Sequence, residues 1–178
     1  MLQAPHNPVT AYIAVGSNME PEKNLPAALA RLIQRVRVVA VSTMYRTPAL
    51  DRPHQPDFVN GVWSVETRHT PRDLKYTVLR PIEEALGRVR TADAYADRPI
   101  DLDIALYGAQ VIEEQGLIIP DPDILRRPFL AVPLLELVPD LVLPGSGVRL
   151  SEQPVAHHRA GLTPLPELTE TLRRMIAT

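Results

Sequence analysis

The order in which hydrophobic periodicity changes along this chain restricts the folds that it can adopt. Apolar residues alternate in some segments, which predicts strands, and recur at helical spacing in others. The segments cover residues 12–15, 22–35, 37–46, 58–66, 71–86 and 100–106. Their order is strand, helix, strand, strand, helix, strand, which is the ferredoxin-like βαββαβ arrangement. We therefore predict an α+β fold, an antiparallel sheet of four strands with two helices on one face.

Further elements are predicted after this unit. A strand is expected at residues 109–112, a short helix near 127–137 and a C-terminal helix near 166–176. The chain has 178 residues and contains no internal repeat or low-complexity linker, so a single domain is expected. Within it, residues 1–10 are interpreted as a loose arm and residues 145–178 as a C-terminal extension.

Composition excludes several classes of protein. A net charge of −2 argues against a nucleic-acid binder that relies on bulk positive charge. The absence of cysteine excludes a disulfide framework and a thiol nucleophile, and it fits a reducing cytoplasm. The N-terminus does not resemble a secretory signal, and no apolar stretch reaches the ~18 residues of a membrane span. We expect a cytoplasmic monomer with small-molecule ligands and no nucleic-acid or membrane partner.

Two aspartates form the sharpest local signal. In a strand, residues two apart point to the same face, so Asp101 and Asp103 place two carboxylates together while Leu102 and Ile104 face the core. Such close like charges repel unless a cation lies between them. Magnesium commonly binds one or two carboxylates and completes its coordination with phosphate and water. The alternative interpretation is an edge strand with a solvated acidic face.

Arginines flank the two aspartates. Arg88, Arg90 and Arg98 lie within a dozen residues of them, and Arg126 and Arg127 follow later. A guanidinium pairs with phosphate through two hydrogen bonds, so carboxylates and arginines together indicate a nucleotide site. No Walker A or G-x-G-x-x-G motif is present, which excludes the P-loop and Rossmann classes. Because the chain has 17 arginines, chance clustering is the alternative.

An aromatic ring and an amide share one face of the strand at residues 58–66. Phe58 and Asn60 are two positions apart there, so they project side by side. An asparagine amide offers a donor and an acceptor to a flat heterocycle. The alternative is that Phe58 belongs to the core and Asn60 is a satisfied buried amide.

Five segments together resemble the 6-hydroxymethyl-7,8-dihydropterin pyrophosphokinase family. They are Tyr12–Asn18, Tyr45–Leu50, Gln55–Asn60, Arg98–Ile104 and Arg127–Phe129, and they occur in the family's order at nearly constant spacing. The resemblance runs from about residue 11 to residue 144. It implies a ferredoxin-like fold with extra C-terminal elements. It also implies transfer of pyrophosphate from ATP to the hydroxymethyl group of the dihydropterin, with release of AMP, in folate biosynthesis.

The resemblance also implies roles for residues at matching positions. Asp101 and Asp103 would hold two magnesium ions that bridge the ATP phosphates, and together with Arg88 and Arg98 they would be the catalytic residues. Around the pterin would lie Thr47, Pro48, Leu50, Phe58, Asn60 and Phe129. Around ATP would lie Glu83, Arg88, Arg90, Tyr95, Arg98, Ile104 and Arg127. The loop Thr91–Asp97 is a candidate lid over ATP.

Several positions depart from the family pattern. Asp97 adds a negative charge just before Arg98, Gly116 stands where a basic residue is common, and Asp121 and Pro122 replace a common His-Tyr pair. These changes predict altered ATP contacts and weaker nucleotide binding. They also leave open a non-catalytic ferredoxin-like module that binds a nucleotide or protein through its sheet. A different two-magnesium enzyme on this fold, such as a nucleotidyltransferase or cyclase, is a second alternative.

Overall fold

A computed structural model describes residues 7–49 and 52–177, which form an α+β structure around an antiparallel sheet. The first half contains β1 (Val9–Ser17), α1 (Pro21–Ile33), β2 (Arg37–Val41), β3 (Tyr45–Thr47) and β4 (Phe58–Thr67). The helix α2 follows, with α-helical Pro71–Asp73, π-helical Leu74–Leu79 and α-helical Arg80–Ala85. The second half contains β5 (Asp101–Tyr107), β6 (Ile112–Glu114), β7 (Leu117–Ile119), α3 (Pro128–Leu137), β8 (Thr163–Pro164) and α4 (Pro166–Ile176).

The sheet has β1 and β4 at its centre. Its order is β5-β1-β4-β3-β8, β2 also pairs with β4, and all these pairs are antiparallel. The sequence predicted one strand over residues 37–46, whereas the structure has β2 and β3 with a break at residues 42–44. Ser42 explains part of this break, because its Oγ accepts the Val62 N–H at 2.9 Å and so takes the place of a strand carbonyl.

Helices cover both faces of the sheet. Alternate residues of β1, such as Ile13, pack against α1, α2 and α4 on one face of the sheet. The same core contains three fully buried leucines of α1, Leu25, Leu29 and Leu32. Each such buried leucine contributes about 1.5–3 kcal/mol. Helices α1 and α2 lie on one face, as predicted, but α3 packs on the opposite face beside Tyr12. The described residues include no helix with the length and apolar character of a membrane span.

Helix α2 accommodates a proline through an irregular turn. Thr70 caps its first turn by accepting the Asp73 N–H at 3.1 Å, as the sequence predicts. A proline lacks an N–H and clashes with the carbonyl four residues earlier, so the sequence predicts a kink at Pro81. In the structure a π-helical segment ends at Leu79, two residues before Pro81, and Arg35 donates to the Thr77 carbonyl at 3.1 Å.

Strand β5 carries a β-bulge that interrupts its alternation. Ile13 pairs with Ile104, whereas Tyr12 pairs with Leu106, so Ala105 is the extra residue. Asp101 and Asp103 lie before the bulge and stay on one face, opposite Gly16 and Ala14 of β1. The strand predicted at residues 109–112 begins later, as the first strand of the β6–β7 hairpin.

Candidate active site

A cavity of about 420 Å³ lies on the face of the sheet that α3 covers. Ten of the residues that the resemblance places in the site line it: Thr47, Pro48, Phe58, Asn60, Tyr95, Arg98, Asp101, Asp103, Arg127 and Phe129. They come from β3, β4, β5, α3 and the segments beside them. Glu83, Arg88, Arg90 and Ile104 lie outside its lining. Leu50 falls outside the residues that the structure describes.

The carboxylate pair lies together in this cavity, as the two-residue spacing predicts. Arg98 Nη1 donates to Asp101 Oδ2 at 2.7 Å, and Lys75 Nζ lies 3.7 Å from Asp103 Oδ1. Partial burial and the charge of Asp101 nevertheless raise the pKa of Asp103, with Lys75, Arg90 and Arg98 opposing them. The nearby cations therefore leave part of the negative charge at Asp103 uncompensated.

The uncompensated negative charge and the carboxylate oxygens of Asp101 and Asp103 fit a magnesium ion. Carboxylate oxygens are hard ligands, and a divalent cation would remove the repulsion between Asp101 and Asp103. Among the described residues no group of three or more His, Cys, Asp or Glu side chains is arranged to hold a metal. Phosphate oxygens and water would therefore have to supply the remaining ligands, which is the usual situation for magnesium at a nucleotide.

The same cavity holds an oriented amide on β4, across strand β1 from the carboxylates. Asn60 Nδ2 donates to Thr47 Oγ1 at 2.7 Å. On its other side the amide lies against Gly16, where an added Cβ would be only 2.8 Å from Asn60 Oδ1. The guanidinium of Arg98 lies over the Phe58 ring, 5.8 Å from its centroid. One wall of the cavity therefore combines a fixed amide with an aromatic ring, as a site for a flat heterocycle requires.

Glu83 lies behind the carboxylate pair rather than in the cavity. Its side chain is buried, and Oε1 accepts the Leu102 N–H at 2.8 Å between the two aspartates. Oε2 accepts from Arg90 Nη2 at 2.6 Å. Burial raises the pKa of Glu83 to about 7, and the charge of Asp101 adds to this effect. Glu83 therefore positions β5 and Arg90.

Two other residues expected around ATP also lie outside the cavity. The side chain of Ile104 is buried in the core on the α1 face of the sheet. Only the backbone of Ile104 could therefore contact ATP. Arg88 has a buried Nε without a hydrogen-bond partner among the described residues, and burial lowers the pKa of its guanidinium. The charge of Asp101 opposes this lowering of the pKa of Arg88.

The candidate lid is attached to the loop before β4. Arg52 forms two hydrogen bonds of 3.0 Å with the Asp93 carboxylate. Asp97 Oδ1 accepts from Asn18 Nδ2 at 2.8 Å and from Gln55 Nε2 at 2.7 Å. Two side-chain amides therefore hold Asp97 in place and join the candidate lid to the turn after β1 and to the loop before β4.

Sequence reasoning assigned no role to Arg52, Asp93, Asn18 or Gln55. The sequence marks two of them only by their position in the family-like segments. Asn18 is the last residue of the first segment, and Gln55 is the first residue of the segment that contains Phe58. Asp121, noted only as a departure from the family pattern, also lines the cavity. Its Oδ1 accepts the Asp123 N–H at 2.8 Å, and burial raises its pKa to about 6.

The fold and the cavity together define a class of α+β proteins in which paired carboxylates, arginines and an aromatic wall share one cavity. Comparison with known families then identifies the family within this class. Residues 12–139 match the family described as 7,8-dihydro-6-hydroxymethylpterin-pyrophosphokinase (HPPK). Since the match covers more than half of the chain, this protein belongs to that family.

The curated relatives include two named as pyrophosphokinases and one named for folic acid synthesis. The 2-amino-4-hydroxy-6-hydroxymethyldihydropteridine pyrophosphokinase of Haemophilus influenzae is 40% identical over 161 residues, covering 88% of this chain and 99% of the relative. The protein of the same name from Pseudomonas aeruginosa is 39% identical, with 87% and 96% covered. Folic acid synthesis protein fol1 of Schizosaccharomyces pombe is 39% identical over 145 residues, which are 80% of this chain but 20% of that protein.

Proposed function

We propose that this protein transfers pyrophosphate from ATP to 6-hydroxymethyl-7,8-dihydropterin and releases AMP, in folate biosynthesis. The observation that carries the proposal is that one cavity is lined both by Asp101 and Asp103 and by Phe58, Asn60 and Phe129. Metal-bound phosphates and a flat heterocycle would therefore meet there. Membership of the HPPK family and the names of the relatives support the same reaction.

In this reaction the pterin hydroxyl oxygen attacks the β-phosphorus of ATP. The bond between that phosphorus and the oxygen bridging to the α-phosphorus breaks, AMP leaves with the electron pair, and the hydroxyl proton is lost to solvent. Asp101 and Asp103 would hold two magnesium ions, which when bound neutralise charge on the phosphates. Alignment of the two substrates and electrostatic stabilisation would then account for most of the catalysis.

The arginines have separate proposed tasks. Arg98 touches Asp101 and covers Phe58, so it lies at the boundary between the nucleotide and pterin halves. We assign Arg98 and Arg88 to stabilising the phosphates during transfer, and Arg127 and Tyr95 to binding ATP from the cavity wall. Glu83 would contribute by holding Arg90, and Ile104 through its backbone.

The sheet order supports the ferredoxin-like arrangement as part of this proposal. Strands β5, β1 and β4 are neighbours in that order, and β2 pairs with the far edge of β4. The crossovers through α1 and α2 lie on one face. The proposal is a single-domain cytoplasmic monomer, and the lack of cysteine fits the reducing cytoplasm.

Direct analysis of the products tests the proposed reaction. The protein is incubated with ATP, magnesium and 6-hydroxymethyl-7,8-dihydropterin, and the nucleotides are separated. We expect AMP in equal amount to the diphosphorylated pterin, and no AMP when the pterin is omitted. Formation of ADP would contradict the proposal. Nucleotide binding without any turnover would favour the non-catalytic module instead.

Gly16→Ala is expected to weaken pterin binding selectively. The strand backbone at Gly16 accepts alanine, but the new Cβ would lie 2.8 Å from Asn60 Oδ1 and displace the amide from its position beside Thr47. Loss of about one well-oriented hydrogen bond predicts a roughly tenfold higher KM for the pterin. The KM for ATP is the internal control in the same steady-state assay. An equal rise of both KM values would mean that the cavity is disturbed as a whole.

Glu83→Gln is expected to change how stability depends on pH. The pKa of Glu83 is about 7 in the folded protein, above its ordinary value of 4.5, so the folded state retains a proton that the unfolded state loses. The stability that Glu83 contributes is present below pH 4.5 and is lost as pH rises towards 7. Urea unfolding between pH 4.5 and 7 should show a fall in the wild type and a smaller fall in Glu83→Gln. The control is Glu84→Gln at the exposed neighbouring position, which should keep the wild-type fall.

A further inference from the structure

Lys75 occupies an unusual position for a lysine. Its side chain is 17% exposed, and Nζ donates to the Gly116 carbonyl at 2.7 Å and lies 3.7 Å from Asp103 Oδ1. The ammonium is therefore held where α2, β5 and the β6–β7 turn meet. The other lysine of the chain, Lys23, is 72% exposed and pairs with Glu20 at the surface. Most lysine side chains are exposed, so the low exposure of Lys75 beside a carboxylate of the cavity distinguishes it.

The charges around Lys75 suggest more than a structural tether. Lys75 opposes the rise in pKa of both Asp103 and Asp121, so its charge acts on both carboxylates. An ammonium has three N–H donors. The hydrogen bond to Gly116 uses one of them, and the 3.7 Å contact with Asp103 is an ion pair too long for a hydrogen bond. Two donors therefore remain available among the described residues.

Lys75 is paired with a different aspartate from Arg98. Among the described residues Lys75 forms the ion pair with Asp103, at 3.7 Å, whereas Arg98 forms the one with Asp101, at 2.7 Å. The charges of Arg90 and Arg98 also act on Asp103, but that of Lys75 acts most strongly. A polyphosphate bound through metal at both aspartates would carry negative charge past each of them, and the Lys75 ammonium lies beside Asp103.

We propose that Lys75 binds the polyphosphate of ATP on the Asp103 side of the carboxylate pair. The proposal rests on the pyrophosphokinase function and adds a substrate-binding residue to it. When phosphate and metal approach Asp103, the Lys75 ammonium keeps its hydrogen bond to Gly116 and directs a free donor to a phosphate oxygen. A charge-assisted contact of this kind is stronger than a neutral hydrogen bond and depends on ionic strength.

Binding of a non-hydrolysable ATP analogue tests this proposal. Calorimetry is carried out with magnesium and α,β-methylene ATP at several salt concentrations. Lys75→Met should raise Kd about tenfold and reduce the dependence of Kd on salt, and Lys75→Arg should recover much of the affinity. If Lys75→Met does not fold, as judged by its thermal melt, Lys75→Gln removes the charge and retains a donor for Gly116. The same increase in Kd is then expected for Lys75→Gln.

Arg72→Met is the matched control for a tethering role. Arg72 ties the same helix to the same hairpin through Glu114 at 3.1 Å, without acting on the carboxylate pair. The Kd of Arg72→Met for α,β-methylene ATP should stay within twofold of the wild-type value. A wild-type Kd for Lys75→Met, or an equal loss in Arg72→Met, would overturn the role of Lys75. If the wild type itself neither binds the analogue nor forms AMP, the proposed function fails instead.

Discussion

Asp103→Asn is expected to reduce AMP formation by about 10³-fold or more, which corresponds to ~4 kcal/mol of transition-state stabilisation. Asp103 lines the cavity beside Asp101, and asparagine keeps its size but removes the charge that would hold magnesium. The amide is also a poor magnesium ligand beside a competing Lys75 ammonium at 3.7 Å. Steady-state turnover at saturating ATP and pterin measures the effect. Activity above a tenth of the wild type would remove Asp103 from the proposed metal site.

The same substitution should not destabilise the protein without metal. The pKa of Asp103 is raised by partial burial and by Asp101, so its ionised form disfavours the folded state at neutral pH. Its side chain is 48% exposed, so solvent screens the repulsion and the gain from its removal is small. The thermal midpoint without metal should equal or exceed that of the wild type. Asp140→Asn, at an exposed position, controls for the loss of one carboxylate.

Those parts of the fold that depend on local periodicity could be predicted from the sequence. The Thr70 cap, the start of α2 and the C-terminal helix at Pro166–Ile176 agree with the structure. The break between β2 and β3 could not be predicted, because it depends on contacts with distant residues. Met44 N donates to Thr169 Oγ1 at 2.9 Å, 125 positions along the chain. The alternation of Val39, Val41, Thr43 and Tyr45 continues across this break, so a period-two pattern gives no sign of it.

The candidate site also contains residues that local periodicity predicts and residues that only long-range contacts bring together. Asp101 with Asp103, and Phe58 with Asn60, share strand faces, so a period of two is enough to place each pair. The residues around the lid are joined only in three dimensions. Asn18 and Asp97 are 79 positions apart, and no periodicity connects a turn after one strand with a loop before another. Glu83 shows the same limit, because its contact with the Leu102 N–H joins residues 19 positions apart and cannot be read from the sequence. Its place around ATP stays a prediction.

Arg98→Ala is expected to lower turnover strongly, by about 10²–10³-fold, the usual effect of removing one group that stabilises charge in the transition state. In the structure Arg98 Nη1 binds Asp101 at 2.7 Å and its side chain is 14% exposed. Metal binding at Asp101 would replace this ion pair and leave the guanidinium free to contact phosphate. Steady-state kcat with saturating substrates measures the loss, and unchanged turnover would remove Arg98 from the mechanism.

Pterin binding separates this catalytic role from a general loss of structure. The guanidinium now covers the Phe58 ring at 5.8 Å, where the heterocycle would stack, so its removal takes away no contact that the pterin needs. The pterin Kd of Arg98→Ala, measured by fluorescence titration, should stay within about twofold of the wild type or become tighter. Arg98→Lys keeps the charge but loses the planar pair of donors, so it should recover only part of the turnover. A pterin affinity that falls as much as kcat would instead mean that Arg98 mainly supports the pterin wall.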